Sequence, residues 1–235
     1  MYVQSAPLTK EIVQSDGEGL WEGLASGRDP VQTLKAKDVL FCEGDPAGTV
    51  FEVVEGTICK YRLLIDGRRQ VLGFAGPGDL IGLAQGDVHR FNCQAVTPAR
   101  LRRIPKNGLL RTAAQRPEIG EKLLTFATTE LAAMQDYCLL LSRKSAQERL
   151  VSFLLTLADQ QSGGAAFDAD GPVTVVLTMR RRDIADYLGL SVETVSRTLT
   201  ALKNLGVIDV PHGSAVVIRD ILELEELAEV EDDGF

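Results

Sequence analysis

Residues 180–205 limit the possible folds of this chain more than any other segment, because they predict two short helices joined by a tight turn. The first helix has one apolar stripe at helical spacing, formed by Ile184, Ala185 and Leu188. Gly189 can adopt the left-handed backbone conformation that ends a helix and redirects the chain. Ser191 then offers a hydroxyl oxygen that can cap a second helix. The segment therefore predicts a helix-turn-helix.

The second predicted helix has two chemically different faces. Its expected buried face consists of Val195, Leu199, Leu202 and Leu205. The opposite face carries Glu193, Arg197, Thr200 and Asn204, with Ser196 beside them. A helix-turn-helix places the N-terminal part of its second helix in the major groove of DNA. There an Arg can donate two hydrogen bonds to guanine and a Glu can accept one from cytosine, so this face predicts DNA binding.

The flanking residues favour a winged helix over an ordinary helical hairpin whose outer face is merely solvated. Val173, Val175 and Leu177 occupy alternate positions ahead of the two helices. Two apolar runs follow the helices, at residues 207–210 and 215–218, and the turn between them contains a glycine. This pattern is typical of a β-hairpin. A strand, two helices and a hairpin in this order predict a winged helix.

Between about residues 31 and 110 the pattern changes to short apolar strands separated by turns. The strand-like stretches are residues 38–41, 50–56, 58–65, 70–74 and 93–104. Turn signals such as Gly44-Asp45-Pro46 and Asp66-Gly67 separate them. Strands interrupted at such short intervals predict an antiparallel β-roll or barrel. The expected fold class is therefore α+β, with a β-roll followed by helices and a winged helix-turn-helix.

Residues 117–141 return to a helical period. Apolar spacings of three and four alternate along one seam, formed by Leu124, Ala127, Leu131, Met134, Cys138 and Leu141. The seam contains no charged residue, so nothing in it opposes the pairing of two identical helices. The alternative is a single amphipathic helix that lies on its own β-roll. In a parallel pair Cys138 would face its twin, either as a packing residue or as a redox-active thiol.

The formal net charge of −8 is compatible with DNA binding once the charges are mapped. Residues 220–235 contain eight acidic residues and no Lys or Arg, so the rest of the chain is formally neutral. A local basic cluster remains, formed by Arg180, Arg181 and Arg182 with Arg197 and Lys203 beyond them. Within the acidic end, residues 221–228 predict a short docked helix and residues 229–234 are expected to be disordered.

Composition also argues against several classes of protein. The four cysteines are far apart and the chain has two histidines, so neither a zinc site nor the metal site of a catalytic β-barrel is expected. The protein is therefore not expected to be an enzyme. No apolar run approaches the length of a membrane span, and Met1 to Pro7 lack a signal pattern. A cytoplasmic protein without a membrane partner is expected.

Taken together, these segments resemble the CRP/FNR superfamily of bacterial transcription regulators over nearly the whole chain. The β-roll motifs that carry the resemblance are Gly44-Asp45, Val53-Val54-Glu55-Gly56, Asp66-Gly67 and Pro77-Gly78-Asp79. Residues 139–142, Ala146, Glu148-Arg149-Leu150 and Phe153 resemble the family's junction between the dimerisation helix and the DNA-binding domain. Residues 183–190 and 192–197 are similar to the FNR-like recognition motif.

Departures from the family pattern indicate which branch of the family the chain resembles. Members that bind cyclic AMP carry an Arg-Ser or Arg-Thr pair where this chain has His89-Arg90-Phe91, so nucleotide binding is not expected. Members with an iron–sulfur cluster use N-terminal cysteines and one in the β-roll. Residues 1–41 contain no Cys, and Arg102 stands at the β-roll ligand's place. The resemblance therefore points to the FixK-type branch, whose members need no cofactor.

The resemblance implies a homodimeric transcription activator that binds a double-stranded palindrome similar to TTGAY-N4-RTCAA and contacts RNA polymerase. It implies control of low-oxygen metabolism such as microaerobic respiration, denitrification or nitrogen fixation. Base-reading residues are expected to be Glu193, Ser196 and Arg197. Residues expected at the DNA backbone are Thr178, Arg180, Arg181, Arg182, Thr194 and Thr200. The six seam residues are expected at the dimer interface.

The expected organisation has five segments: an N-terminal arm at 1–30, the β-roll at 31–112, a dimerisation helix at 113–142, the winged helix-turn-helix at 143–220 and an acidic tail at 221–235. A sensor of the same family, which binds DNA only when a ligand fills the β-roll, is the alternative function. Haem is one variant of that alternative, with His89 as axial ligand. A surface loop position is the simpler interpretation of this histidine.

Overall fold

The computed structural model describes Trp21 and residues 31–83, 86–163, 171–212 and 214–228. The chain divides between Thr128 and Thr129 into two compact units. Apart from Trp21, the expected N-terminal arm lies outside the described residues, as does the part of the acidic tail from residue 229 onward. In the described ranges, no helix has both the length and the hydropathy needed to cross a membrane.

The first unit is a roll of two antiparallel sheets, as the strand pattern predicted. Its strands are β1 (Val31–Leu34), β2 (Val39–Phe41), β3 (Thr49–Glu55), β4 (Ile58–Leu63), β5 (Arg69–Ala75), β6 (Leu80–Ile81), β7 (Asn92–Ala95) and β8 (Ala99–Pro105). One sheet has the order β1-β8-β3-β6 and the other β2-β7-β4-β5. The stretch 93–104, predicted as one strand, is two strands joined by a turn. Gly56 packs against that turn so closely that an added Cβ would lie 2.3 Å from the carbonyl oxygen of Pro98.

Strand β3 is buried on both faces because each face packs against a different core. Phe51 and Val53 belong to the core between the two sheets. Val50 points to the opposite face, since successive side chains alternate along a strand. There it packs in a second core with Trp21 and Ile119. The second core seals the outer face of the sheet with helical residues.

The described helices are α1 (Lys106–Gln115), α2 (Pro117–Arg143), α3 (Ala146–Ser162), α4 (Arg181–Leu188), α5 (Val192–Leu205) and α6 (Ile221–Glu226). The long helix α2 begins at Pro117 because Arg116, which precedes a proline, is extended, and proline suits the first helical position. Residues 113–115, expected in the long helix, belong to α1 instead. Ser145 and Glu148 form a reciprocal capping box that starts α3.

The second unit is a winged helix, as predicted. Strands β9 (Val173–Val176), β10 (Ile208–His212) and β11 (Ala215–Ile218) form one antiparallel sheet in the order β10-β11-β9. Helix α3 packs against α4, α5 and β9, so it provides the scaffold for both the helix-turn-helix and the wing. With this unit the expected α+β class is confirmed.

Helix α6 belongs to the second unit and not to a separate tail. Its apolar residues Ile221 and Leu224 are buried, as is Ala228 after it, and α6 packs against α3. Asp220 caps the helix through hydrogen bonds that its carboxylate accepts from the backbone N–H groups of Leu222 and Glu223. The predicted short docked helix is therefore present.

Candidate DNA-binding site

The turn between α4 and α5 has the geometry that its residues predicted. Gly189 ends α4 in the left-handed conformation, with φ of 65°, and its N–H donates to the carbonyl of Ala185. The hydroxyl oxygen of Ser191 accepts a hydrogen bond from the N–H of Thr194 at 3.0 Å. Together these contacts position α5 relative to α4.

The buried face of α5 differs from the prediction at one residue. Val195, Leu199 and Leu202 are buried as expected. Leu205 was expected beside them but is 59% exposed, because it is the last helical residue before Gly206 turns the chain away. Thr198 lies on the buried face instead, and its hydroxyl donates to the carbonyl of Thr194 at 2.9 Å. Burial of this polar side chain is compensated by that bond.

The opposite face of α5 presents the predicted polar residues to solvent. Glu193, Ser196, Arg197 and Thr200 are exposed, whereas Thr194 is half-buried and its hydroxyl lies 2.8 Å from that of Ser191. Glu193 and Arg197 are one turn apart, a spacing at which side chains on a helix are neighbours. The hydroxyl of Ser196 donates to the carbonyl of Val192, which leaves its oxygen able to accept a bond from outside. This face therefore combines an acidic, a basic and a hydroxyl group near the start of α5.

The three consecutive arginines at the start of α4 have different environments. Arg180 and Arg182 are exposed, as is Thr178. Arg181 is half-buried, and its burial lowers the pKa of the guanidinium. Its Nη1 atom is buried without a hydrogen-bond partner among the described residues. Only Arg180 and Arg182 thus project as ordinary surface cations.

Lys203 forms an ion pair with a residue of the wing, although the sequence analysis placed it in a basic cluster. Its ammonium lies 3.1 Å from the carboxylate of Asp209, which Arg219 also approaches at 3.5 Å. The hydrogen bond from Lys203 is the main cause that lowers the pKa of Asp209. The charge of Lys203 is therefore partly neutralised within its own unit.

Helix α2 exposes most of the predicted seam. Leu124, Leu131 and Met134 are 66%, 59% and 58% exposed, and Ala127 and Cys138 are also exposed. Leu124 and Ala127, which belong to the first unit, are therefore not covered by the β-roll of that unit. Leu123 and Phe126, beside the seam, pack against the second core of the first unit. Leu141 is half-buried and differs from the other seam residues.

Two residues that contact the turn were not among the predicted site residues. Arg149 of α3 donates to the carbonyl of Leu188 at 3.0 Å, and Tyr137 of α2 donates to the carbonyl of Tyr187 at 2.7 Å. Both carbonyls lie at the C-terminal end of α4. The sequence does contain a signal for Arg149, because this residue directly precedes the apolar run that starts at Leu150. An arginine that is partly buried beside such a run needs hydrogen-bond acceptors.

In the β-roll, His89 is buried, although a position on a surface loop was expected. Its residue is 3% exposed, and its ring stacks on Phe41 with centroids 3.6 Å apart. Its Nδ1 atom is buried without a hydrogen-bond partner among the described residues. Burial lowers the pKa of the imidazole. The ring does not suit a haem ligand, since coordination would require it to leave this packing.

The positions at which the family resemblance places nucleotide or cluster binding are occupied by internal contacts. The Asp79 carboxylate accepts a bond from the N–H of Gly76 at 2.8 Å, and Phe91 packs against the inter-sheet core. Arg102 forms an ion pair with Glu52 at 2.9 Å, and the two side chains are 16% and 2% exposed. No cluster of His, Cys, Asp and Glu suited to a metal ion occurs within the described ranges.

Comparison with known families agrees with this geometry. The family described as Crp-like helix-turn-helix domain matches residues 148–227, and the family described as cyclic nucleotide-binding domain matches residues 31–116. The nitrogen fixation regulation protein FixK of Azorhizobium caulinodans is 42% identical over 188 residues, which cover 80% of this chain and 75% of that protein. The transcriptional activatory protein AadR of Rhodopseudomonas palustris is 39% identical over 182 residues, covering 77% of this chain and 74% of that protein.

A solved structure extends the similarity to three dimensions. The structure of FixK2 from Bradyrhizobium japonicum is 34% identical, with a TM-score of 0.77, and the match covers 86% of this chain and 98% of that chain. Proteins of this kind are regulators and not enzymes, so the expectation that this chain is not an enzyme is confirmed. The chain belongs to the CRP/FNR family of DNA-binding transcription regulators and is of the FixK/FNR-like type.

Proposed function

We propose that this protein is a homodimeric transcription activator that binds a palindrome similar to TTGAY-N4-RTCAA without a bound effector. The observation that carries the proposal is the exposed polar face at the start of α5, with Glu193, Ser196 and Arg197 side by side above a buried apolar face. A helix presented in this way fits the major groove. The Arg197 guanidinium suits guanine O6 and N7, and the Glu193 carboxylate suits the amino group of cytosine.

The DNA backbone is contacted by residues that surround this face. Arg180 and Arg182 are exposed at the start of α4, which in this motif crosses the phosphates. Thr178 and Thr200 are exposed and Thr194 is half-buried. The Thr200 hydroxyl, which donates to the carbonyl of Ser196 at 3.0 Å, would turn away from that carbonyl to donate to a phosphate. Arg181 joins them by turning its half-buried guanidinium toward a phosphate, which would supply the partner that its Nη1 lacks among the described residues. These contacts orient α5 and carry no sequence information themselves.

Dimerisation pairs the seam of α2 with that of a second copy. The five exposed seam residues, Leu124, Ala127, Leu131, Met134 and Cys138, support this pairing, because an apolar stripe of this length is unfavourable in water. Each half of a palindrome requires one subunit. The dimer acts in the cytoplasm, where it recruits RNA polymerase to promoters.

Action without an effector is supported by what fills the β-roll. Arg102 is paired with Glu52, His89 is stacked on Phe41 and Phe91 is packed in the core, and these three residues stand at the positions that the family resemblance assigns to ligands. The names of the FixK relatives support a role in nitrogen fixation or a related part of low-oxygen metabolism.

The first test is DNA binding by purified protein with no added ligand, together with its absorption spectrum. Fluorescence anisotropy should show tight binding to the palindrome and weak binding to a scrambled duplex, by a colourless protein. Binding that appears only after a ligand or chromophore is supplied would favour the alternative, a ligand-dependent sensor. Equal binding to both duplexes would contradict sequence-specific recognition.

The second test separates base reading from backbone contact. Arg197→Ala should cost roughly 1–3 kcal/mol on the palindrome and relax the choice at one base pair in a binding-site selection. Arg182→Ala is the matched control, because it also removes one exposed arginine. It should weaken all sequences alike and reduce the slope of affinity against salt by about 1. If Arg197→Ala behaves in the same way as this control, Arg197 contacts phosphate.

A further inference from the structure

The C-terminal end of α4 is bound by side chains from two other helices of the same unit. The guanidinium of Arg149, on α3, donates from Nη1 to the carbonyl of Leu188 at 3.0 Å. The hydroxyl of Tyr137, on α2, donates to the carbonyl of Tyr187 at 2.7 Å. The last carbonyls of a helix have no partner within it, so these two donors satisfy groups that would otherwise need water.

Arg149 also binds the end of the long helix. Its Nη2 donates to the carbonyl of Leu141 at 2.9 Å, and its Nε donates to the carbonyl of Lys144 at 2.9 Å. One planar guanidinium therefore joins the end of α2 to the end of α4. Lysine cannot reproduce this arrangement, because its single ammonium does not have the rigid fork of donors.

Packing strengthens the same connection. The rings of Tyr137 and Tyr187 stack with centroids 4.7 Å apart and planes 14° apart. An added Cβ on Gly189 would lie 3.5 Å from Arg149 Nη1 and 3.7 Å from Leu141 Cδ2. The turn of the helix-turn-helix therefore lies directly against the end of α2, and Leu141 is half-buried for this reason.

We propose that Arg149 and Tyr137 are positioning residues that lock the helix-turn-helix to the dimerisation helix and so set the spacing between half-sites that the dimer accepts. This inference rests on the proposed function, since it needs a dimer on a palindrome. In such a dimer the position of α5 depends on how its unit is joined to α2. An inserted base pair moves one half-site by about 3.4 Å and rotates it by about 35°. A dimer with a rigid junction should lose affinity for the altered site, whereas a dimer with a flexible junction can adjust to it.

The test measures affinity for palindromes whose spacer is optimal, one base pair shorter or one base pair longer. Wild type should lose roughly tenfold or more in affinity on either altered spacer, an effect of the size of one mismatched base pair. Arg149→Lys and Tyr137→Phe should bind the optimal spacer less tightly and lose only about threefold or less on the altered ones, because the coupling between the two helices is weakened. Tyr137→Phe keeps the ring stack and removes one hydroxyl, so the variant is expected to fold.

Gln161→Ala is the matched control for a purely structural effect. The side-chain amide of Gln161 exchanges two hydrogen bonds of 2.8 Å with the backbone of Val176, in the same unit but away from α2 and α4. This variant should lose stability and keep the wild-type preference for spacing. If Arg149→Lys and Tyr137→Phe also keep that preference while losing stability, the positioning role is wrong. If wild type fails to bind any palindrome, or binds as a monomer, the proposed function fails first.

Discussion

Replacing Arg102 by Met should destabilise the β-roll strongly, because it removes the ion-pair partner of the buried Glu52 carboxylate. The two residues are direct neighbours across β3 and β8, with 2.9 Å between Arg102 Nη1 and Glu52 Oε2. The Glu52 side chain is 2% exposed, so water cannot replace the lost partner. Breaking one side of a buried ion pair typically costs about 3–5 kcal/mol. For a unit of this size, that corresponds to a drop of about 10 °C or more in melting temperature.

The size of the loss should depend on pH in a defined direction. Without Arg102, burial raises the pKa of Glu52 above its value in the unfolded chain, which is about 4.3. A group whose pKa is raised by folding favours the folded state most at low pH. The difference in stability between Arg102→Met and wild type should therefore shrink as the pH falls from 7 toward 4.5. The double variant Glu52→Leu/Arg102→Met should recover most of the loss, because it removes the buried carboxylate together with its ion-pair partner.

Urea unfolding followed by tryptophan fluorescence provides the assay. Trp21 is the single tryptophan of the chain and lies in the second core of the same unit. Arg100→Met is the matched control, since the Arg100–Glu55 pair joins the same two strands but is exposed at 53% and 68%. That variant should change stability by about 1 kcal/mol or less. A similarly small change in Arg102→Met would refute the reasoning, because it would mean that Glu52 is solvated or easily rearranged.

Other perturbations test the seam, the buried imidazole and the turn. Met134→Asp should convert the dimer to monomer in sedimentation, since two carboxylates would face each other in the seam; an undisturbed dimer would remove the parallel-helix arrangement. Burial lowers the pKa of His89, so wild type should lose stability as the pH falls below about 6.5, by at most about 1.4 kcal/mol per pH unit. His89→Gln should flatten this loss in thermal scans, and an unchanged profile would assign the acid sensitivity to other groups. Gly189→Ala should cost about 1 kcal/mol because φ there is 65°, and a neutral effect would show that the turn relaxes.

Several features of the candidate site follow from local sequence alone. The period of Val195, Leu199 and Leu202 determines which face of α5 is apolar, and so which face presents Glu193 and Arg197. Periodicity gave the wrong prediction for Leu205, which is exposed because it is the last residue of the helix. It also left out Thr198, whose polar hydroxyl is hidden by a bond to its own helix. Periodicity shows which residues of a helix are apolar, whereas the burial of each residue depends on the segment that packs against it.

By itself the sequence determined the order of the elements: a β-roll, a long helix with an apolar seam, and a winged helix with a polar recognition face. Only the tertiary structure decided which polar groups are internal. Glu52 and Arg102 are 50 residues apart in the chain, as are Tyr137 and Tyr187. His89 is buried because its ring stacks on Phe41, a residue of a different strand. A buried polar group is stable only when distant segments supply its partner, and no local pattern records which segments meet.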